Sequence, residues 1–266
     1  VYKYIQEEIV IPDYEVADDQ VEAEIGKFAS AMAATLKQLD TIRQKALVDM
    51  GADEAAIFEA HMQIAQDPSL SDGIKSLVEN SKMNVVAATA QTIETFAAIF
   101  IGMDDPYMRE RGADIKDIGD RLMRNMLGMN PRGLSHISGE VIIVAHDLAP
   151  SDTASLDKNV VKGIVTAAGG PTSHAAIMAR TLEIPAVMGV GDIESFTDDV
   201  RAVVLGTDGE VITEPSDEEW ERYTKEAADF QDELKRLKDS ANLEAVTKDG
   251  HHVDLFGNIG KSKDAD

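Results

Sequence analysis

The chain has 266 residues, 44% hydrophobic and 28% charged, enough for one large domain or two smaller ones with their own cores. Its 49 acidic residues against 25 basic ones give a net charge of −24, which argues against duplex nucleic acid and is compatible with a basic protein partner or with simple solubility. The absence of cysteine excludes disulfides, thiolate zinc sites and thiol nucleophiles, and no apolar run is long enough to cross a bilayer, so a cytoplasmic protein without membrane contact is expected.

The start, VYKYIQEE, has no secretory pattern, and the first residues read as an extended segment in which Ile9, Val10 and Ile11 are stopped by Pro12. From Asp18 the pattern turns helical. Val21, Ile25, Phe28, Met32, Leu36, Leu39, Ile42 and Ala46 recur at spacings of three and four, which predicts one long amphipathic helix ended by Gly51. A shorter helix is predicted from Asp53 to about Gln66, and Asp67-Pro68 starts another, because proline is tolerated at the first helical position. Asn84 to Ile101 is again helical, and Asp105-Pro106 opens a helix whose stripe, Ile115, Ile118, Leu122 and Met126, runs to Gly128. Short connections between apolar stripes predict an antiparallel helical bundle across residues 18–130.

After Pro131 the texture changes to short apolar runs, Val141 to Ala145, Gly163 to Ala167, Ala186 to Val190, Ala202 to Leu205 and Glu210 to Thr213, set between glycines and short helical pieces. This predicts a compact α/β body. Ser216 with Glu219 three residues on is a capping box, opening a last helix with the stripe Trp220, Tyr223, Ala227, Phe230, Leu234 and Leu237.

The stretch that carries chemistry is GGPTSHAAIMAR, residues 169–180. A β-like run ends in Gly169 and Gly170, where the backbone can turn sharply and approach a bulky ligand. Thr172 or Ser173 can cap the helix that follows, whose first turn then presents unpaired N–H groups at its positive end. Such a place suits an anion, phosphate above all, so Gly169, Gly170, Thr172 and Ser173 are the candidate phosphate-positioning residues. His174 stands there as a side chain able to act as a neutral nucleophile near pH 7. Read locally, the same histidine also fits a capping or packing role, since a short Gly-rich turn is a weak motif. Ser173 and His174 do not make a hydrolase pair, because adjacent residues on a helix do not face each other.

The longer run GGPTSHAAIMARTLEIPAVMG resembles the phosphohistidine signature of the phosphoenolpyruvate-utilising enzymes, which include enzyme I of the sugar phosphotransferase system, pyruvate phosphate dikinase and phosphoenolpyruvate synthase. DEAAIFEAHMQIAQDPSL (53–70) and ERGADIKDIGDRLMRNMLG (110–128) resemble the helical subdomain of enzyme I, which the dikinase and synthase relatives lack. DGHHVDLFGNIG (249–260) is similar to the start of that enzyme's C-terminal half. The resemblance implies an α/β phosphohistidine domain of the swivelling type with an inserted antiparallel helical bundle. Residues 1–17 and 131–215 would form the α/β part, 18–130 the bundle that binds the carrier protein HPr, 216–240 a linker helix, and 241–266 the start of a phosphoenolpyruvate-binding domain absent from this chain.

The resemblance also implies roles. His174 would be transiently phosphorylated, with the hydroxyl of Thr153 orienting its imidazole; locally, Thr153 reads as a helix or turn cap. Phe58, His61, Met62, Leu70, Tyr107, Arg111 and Asp114 would contact HPr, with core packing the competing role for the apolar three. Glu54 stands where some relatives carry lysine, which argues against a basic contact there. Arg180 reads as a salt-bridge or packing residue. No metal or other cofactor is expected in this stretch; His136, His146, His251 and His252 lack chelating spacing, and Mg2+ would belong with the phosphoenolpyruvate site of the full enzyme. The partners implied are HPr and the enzyme's own C-terminal domain, in sugar transport, with neither nucleic acid nor membrane. The alternatives are the phosphohistidine domain of a dikinase or synthase, and a non-enzymatic helical adaptor in which His174 is structural.

Overall fold

A computed structural model describes residues 1–254 apart from 6, 131–133, 135, 136, 138, 155, 241 and 242, with the backbone alone of 106, 107 and 110. The predicted boundary at Pro131 and the end of the chain lie outside the described residues. Two units are present, Val1–Glu214 and Pro215–Asp266.

In the first unit the helical part comprises α1 (Val21–Asp49), α2 (Ala52–Ala65), α3 (Pro68–Ser81), α4 (Val85–Ile101) and α5 (Pro106–Leu127). Their starts have local causes. Asp67 accepts the N–H of Ser69 at 2.8 Å with Pro68 at the first position of α3, and Asn84 accepts the N–H of Ala87 at 2.9 Å to cap α4. Phe28, Leu70, Ile74, Val85, Ile93, Ile118 and Leu122 meet in the bundle core. Helices α4 and α5 approach closely at Gly119, where a Cβ would stand 2.6 Å from a methyl carbon of Ile93.

The body is a parallel sheet in the order β1 (Tyr2–Tyr4), β2 (Val141–Ala145), β3 (Val161–Thr166), β4 (Ala186–Met188). Tyr2 pairs with Ile143, Ile143 with Ile164, and Ile164 with Ala186. Successive strand residues face opposite sides. Ile143, Ala145 and Ile164 therefore pack against Ala175, Ala179 and Leu182 of the α7 segment (His174–Thr181 and its end), while Val144 and Val165 meet Phe196 and Val204 on the other face. Val204 belongs to an antiparallel hairpin of β5 (Ala202–Leu205) and β6 (Glu210–Thr213). A one-turn helix, α6 (Pro150–Thr153), lies between β2 and β3.

The first strand differs from the sequence expectation. It is Tyr2–Tyr4, whereas Ile9 to Pro12 has no regular structure and Val10 is 80% exposed. The segment instead crosses the α3–α4 turn, where Asn84 donates to the carbonyl of Pro12 and Val16 to that of Lys82. Bundle and body meet through an apolar cluster of Leu39, Ala46, Ala55 and Phe58 from α1 and α2 with Ala154 and Met178 from the body. His174 lies at this seam.

In the second unit, α8 (Asp217–Ser240) starts with the predicted reciprocal cap. Glu219 accepts the N–H of Ser216 at 2.9 Å, and the Ser216 hydroxyl oxygen accepts the N–H of Glu219 at 3.3 Å. No helix among the described residues is long and apolar enough to cross a membrane.

Candidate functional site

The turn before α7 is held from both ends. Gly169 has a φ of 95°, a conformation natural to glycine, and Ser173 donates its N–H to the carbonyl of Gly170 at 3.0 Å. Ser173, rather than Thr172, is the cap; its hydroxyl oxygen accepts the N–H of Ala176 at 3.3 Å. Arg180 reaches back one face of the helix and donates to the carbonyl of Pro171 at 2.8 Å, so its role is to brace the turn. His174 is thereby fixed as the first residue of α7, beside a glycine turn and backbone N–H groups.

Its imidazole looks across the seam into the bundle. Nε2 of His174, shielded from solvent, lies 3.9 Å from Oδ1 of Asp114 on α5. The same oxygen is 3.2 Å from Nε2 of His61 on α2, and Nη1 of Arg111 is 3.7 Å from the other oxygen of Asp114. On the far side of His61, Nδ1 is 3.9 Å from Oδ2 of Asp117, whose Oδ1 accepts the hydroxyl of Ser151 on α6 at 3.0 Å. Despite its composition this is no chelating set: among the described residues no three His, Asp or Glu side chains are placed to hold a metal ion. A cleft of about 240 Å³ opens beside His174, lined by Asp53, Ala56, Ile57 and Ala60 of α2 with Arg111 and Asp114. The space suffices for a phosphoryl group and a few waters.

The structure brings His174, Arg111 and Asp114 together and corrects other expected contacts. Thr153 is fully buried and donates its hydroxyl to the carbonyl of Pro150 at 2.9 Å, so it serves its own turn and does not bond the imidazole of His174. Phe58, His61 and Leu70 are buried and cannot touch a partner directly, because the apolar side of α2 and α3 faces the cores. Met62 is half-buried, and Thr172 is exposed at the turn. The side chain of Tyr107, and His136, lie outside the described residues. Glu54 is half-buried and does not line the cleft. Asp117 and Ser151 are new. A signal for Asp117 existed, since Asp114 and Asp117 at i, i+3 share one helix face beside the apolar stripe of Ile115 and Ile118.

Two family models match the chain: the N-terminal region of PEP-utilising enzymes over residues 1–111 and the mobile domain of PEP-utilising enzymes over residues 137–209. The phosphoenolpyruvate-protein phosphotransferase of Listeria monocytogenes is 42% identical, the match covering 99% of this chain and 46% of that protein. The protein of the same name from Haemophilus influenzae is 36% identical, covering 98% and 46%. The chain spans about half the length of the curated relatives it matches. An NMR solution structure of Enzyme I matches with a TM-score of 0.75 at 36% identity, covering 86% of this chain and 93% of that one. The N-terminal domain of Enzyme 1 - Nitrogen shares the fold at a TM-score of 0.58 and 23% identity. The matches run along nearly the whole chain, which belongs to the phosphoenolpyruvate-utilising enzymes and, within them, to the N-terminal part of enzyme I.

Proposed function

We propose that this chain is the phosphoryl-carrying part of a phosphoenolpyruvate-protein phosphotransferase. His174 accepts a phosphoryl group, from phosphoenolpyruvate in the full enzyme, and passes it reversibly to a histidine of HPr in sugar uptake in the cytoplasm. The observation that carries the reading is the placement of His174, on the first turn of a serine-capped helix after a glycine turn and open to a cleft floored by the bundle. HPr would dock over that cleft, using the exposed side of α2 around Asp53 and Ala56 and the half-buried Arg111.

In the transfer a lone pair of one neutral imidazole attacks phosphorus. The new N–P bond forms as the old N–P bond breaks, and its electron pair returns to the donor ring. Each ring keeps the N–H on its other nitrogen, so no net proton is released. The protein's part is to position the two rings and to stabilise the spread of charge over the phosphoryl oxygens. The glycine turn and the first N–H groups of α7 supply that on this side. The chain itself needs no metal for this exchange; Mg2+ would act with phosphoenolpyruvate in the full enzyme.

The test is transfer of a labelled phosphoryl group from phosphorylated HPr to the parent chain and to His174→Ala. Label on the parent alone, in an acid-labile and base-stable bond, is the expected result. A folded parent that stays unlabelled overturns the reading, and equal labelling of both proteins moves the chemistry to another histidine.

A further inference from the structure

His61 is a fully buried histidine whose surroundings are not those of a packing residue. Phe58 meets its ring edge-on, with centroids 5.6 Å apart, but its two nitrogens face two carboxylates, Asp114 and Asp117, whose side chains are 5% and 3% exposed. Two carboxylates brought this far out of water, i, i+3 on one helix, repel each other unless a donor stands between them. The imidazole of His61 stands there. The row of side chains then continues at both ends into the α/β body, to Ser151 through Asp117 and to His174 through Asp114. The cleft side of Asp114 is closed by Arg111, whose side chain is 28% exposed.

We propose that His61 is a positioning residue for the chemistry of His174, acting through Asp114. The buried imidazole holds the Asp114 carboxylate aimed at Nε2 of His174, and that carboxylate sets the orientation of the unphosphorylated ring. This rests on His174 being the residue that carries the phosphoryl group. A carboxylate favours a proton on the nitrogen it faces, which leaves the lone pair on Nδ1 while the contact lasts. A phosphoryl group on Nε2 would set two anions against each other, so loading that nitrogen releases the ring from Asp114. Attack through Nε2 needs the lone pair on that nitrogen, so the ring proton passes to Nδ1 through solvent before the N–P bond forms, and the N–H then stays on Nδ1. His61 never meets the phosphoryl group; it decides where the nucleophile points when the donor arrives.

The experiment compares the parent chain with His61→Leu, His61→Gln and Asp114→Asn by two readouts. One is the 15N signature of the His174 ring, which reports which nitrogen carries the proton. The other is the rate at which potassium phosphoramidate loads His174, where the imidazole lone pair displaces ammonia from phosphorus. His61→Leu and Asp114→Asn are expected to change the ring signature and to shift the loading rate at least about tenfold from the parent's. His61→Gln, whose amide can still donate to Asp114, is expected to stay within about threefold of the parent. A folded His61→Leu protein with the parent's signature and rate overturns the proposal. Where His61→Leu does not fold, an unchanged signature in Asp114→Asn does the same. A parent that phosphoramidate and phosphorylated HPr both fail to load defeats the carrier reading instead, and the ring signature still decides whether His61 and Asp114 position His174.

Discussion

Gly169 carries the sharpest local demand in the site. Its φ of 95° is one that L side chains rarely adopt, and a Cβ there would stand 3.3 Å from the hydroxyl oxygen of Ser173 that caps α7. Gly169→Ala therefore strains the turn and presses on the cap together, and a loss of about 1–2 kcal/mol is expected from a urea unfolding curve. The variant should also take up the phosphoryl label more slowly than the parent, because the strain enters next to His174. A midpoint equal to the parent's would mean that the turn relaxes into an ordinary conformation. Residues of this kind were legible in the sequence, since glycine, cap and histidine follow one another within GGPTSH. Ser151 was not, and of Asp117 only the helix face it shares with Asp114 was. Their hydrogen bond joins α5 to α6 across the seam, and no linear spacing encodes which helix face meets which turn. The resemblance offered Phe58, His61 and Leu70 as partner contacts, with core packing as the competing role for Phe58 and Leu70; all three are buried, because an apolar stripe tells that a face is covered but not what covers it.

At the scale of elements, the parts legible in advance are those with a chemical cause nearby. Asp67, Asn84 and Ser216 each start a helix through their own side chains, and the sequence placed all three starts. Strand β1 was misplaced because a strand is defined by its neighbour. Tyr2–Tyr4 is a strand through its pairing with Ile143 to Ala145, and Ile9 to Ile11, the better apolar run, has no such neighbour. The cap of α8 yields a pH prediction whose sign follows from its bonds. The hydroxyl of Ser216, and after it the Ser216 N–H, donate to the Glu219 carboxylate and hold its pKa below the ordinary value. A carboxyl with a depressed folded pKa adds stability above its unfolded pKa, near ~4.3, and loses it as the pH falls through the folded value. The backbone signal of Glu219, followed by NMR from neutral to acid, should thus titrate at a lower midpoint than in Ser216→Ala. The alanine variant is expected to weaken the start of α8 by about 1 kcal/mol at neutral pH. Equal midpoints in the two proteins would exclude the reciprocal cap as the cause.

Within the first unit, bundle and body are closed on each other in a way that bears on the chemistry proposed for His174. Its Nε2 is sealed from solvent against Asp114, yet transfer needs donor phosphorus at about 3–3.5 Å from the attacking nitrogen and in line with it. Either the ring turns or the seam opens, and the seam is held chiefly by apolar contact. Met178, on α7 one turn beyond His174, is 1% exposed and packs with Leu39, Ala46 and Phe58 of the bundle. Truncating a buried methionine costs about 2–5 kcal/mol, and the part of that loss belonging to contacts with the bundle is felt only in the closed state. Met178→Ala should thus lower thermal stability while raising the open population. Acylation of His174 by diethyl pyrocarbonate, read by mass spectrometry of its peptide, is expected to speed up about tenfold, the effect of ~1.4 kcal/mol on the opening equilibrium. The peptide of His146, which is exposed, gives the internal control, since its acylation does not depend on the seam. Faster acylation of both histidines would report a change in the reagent or the conditions, and an unchanged rate at His174 in a destabilised variant would mean that the ring reaches its donor by rotation within a closed seam.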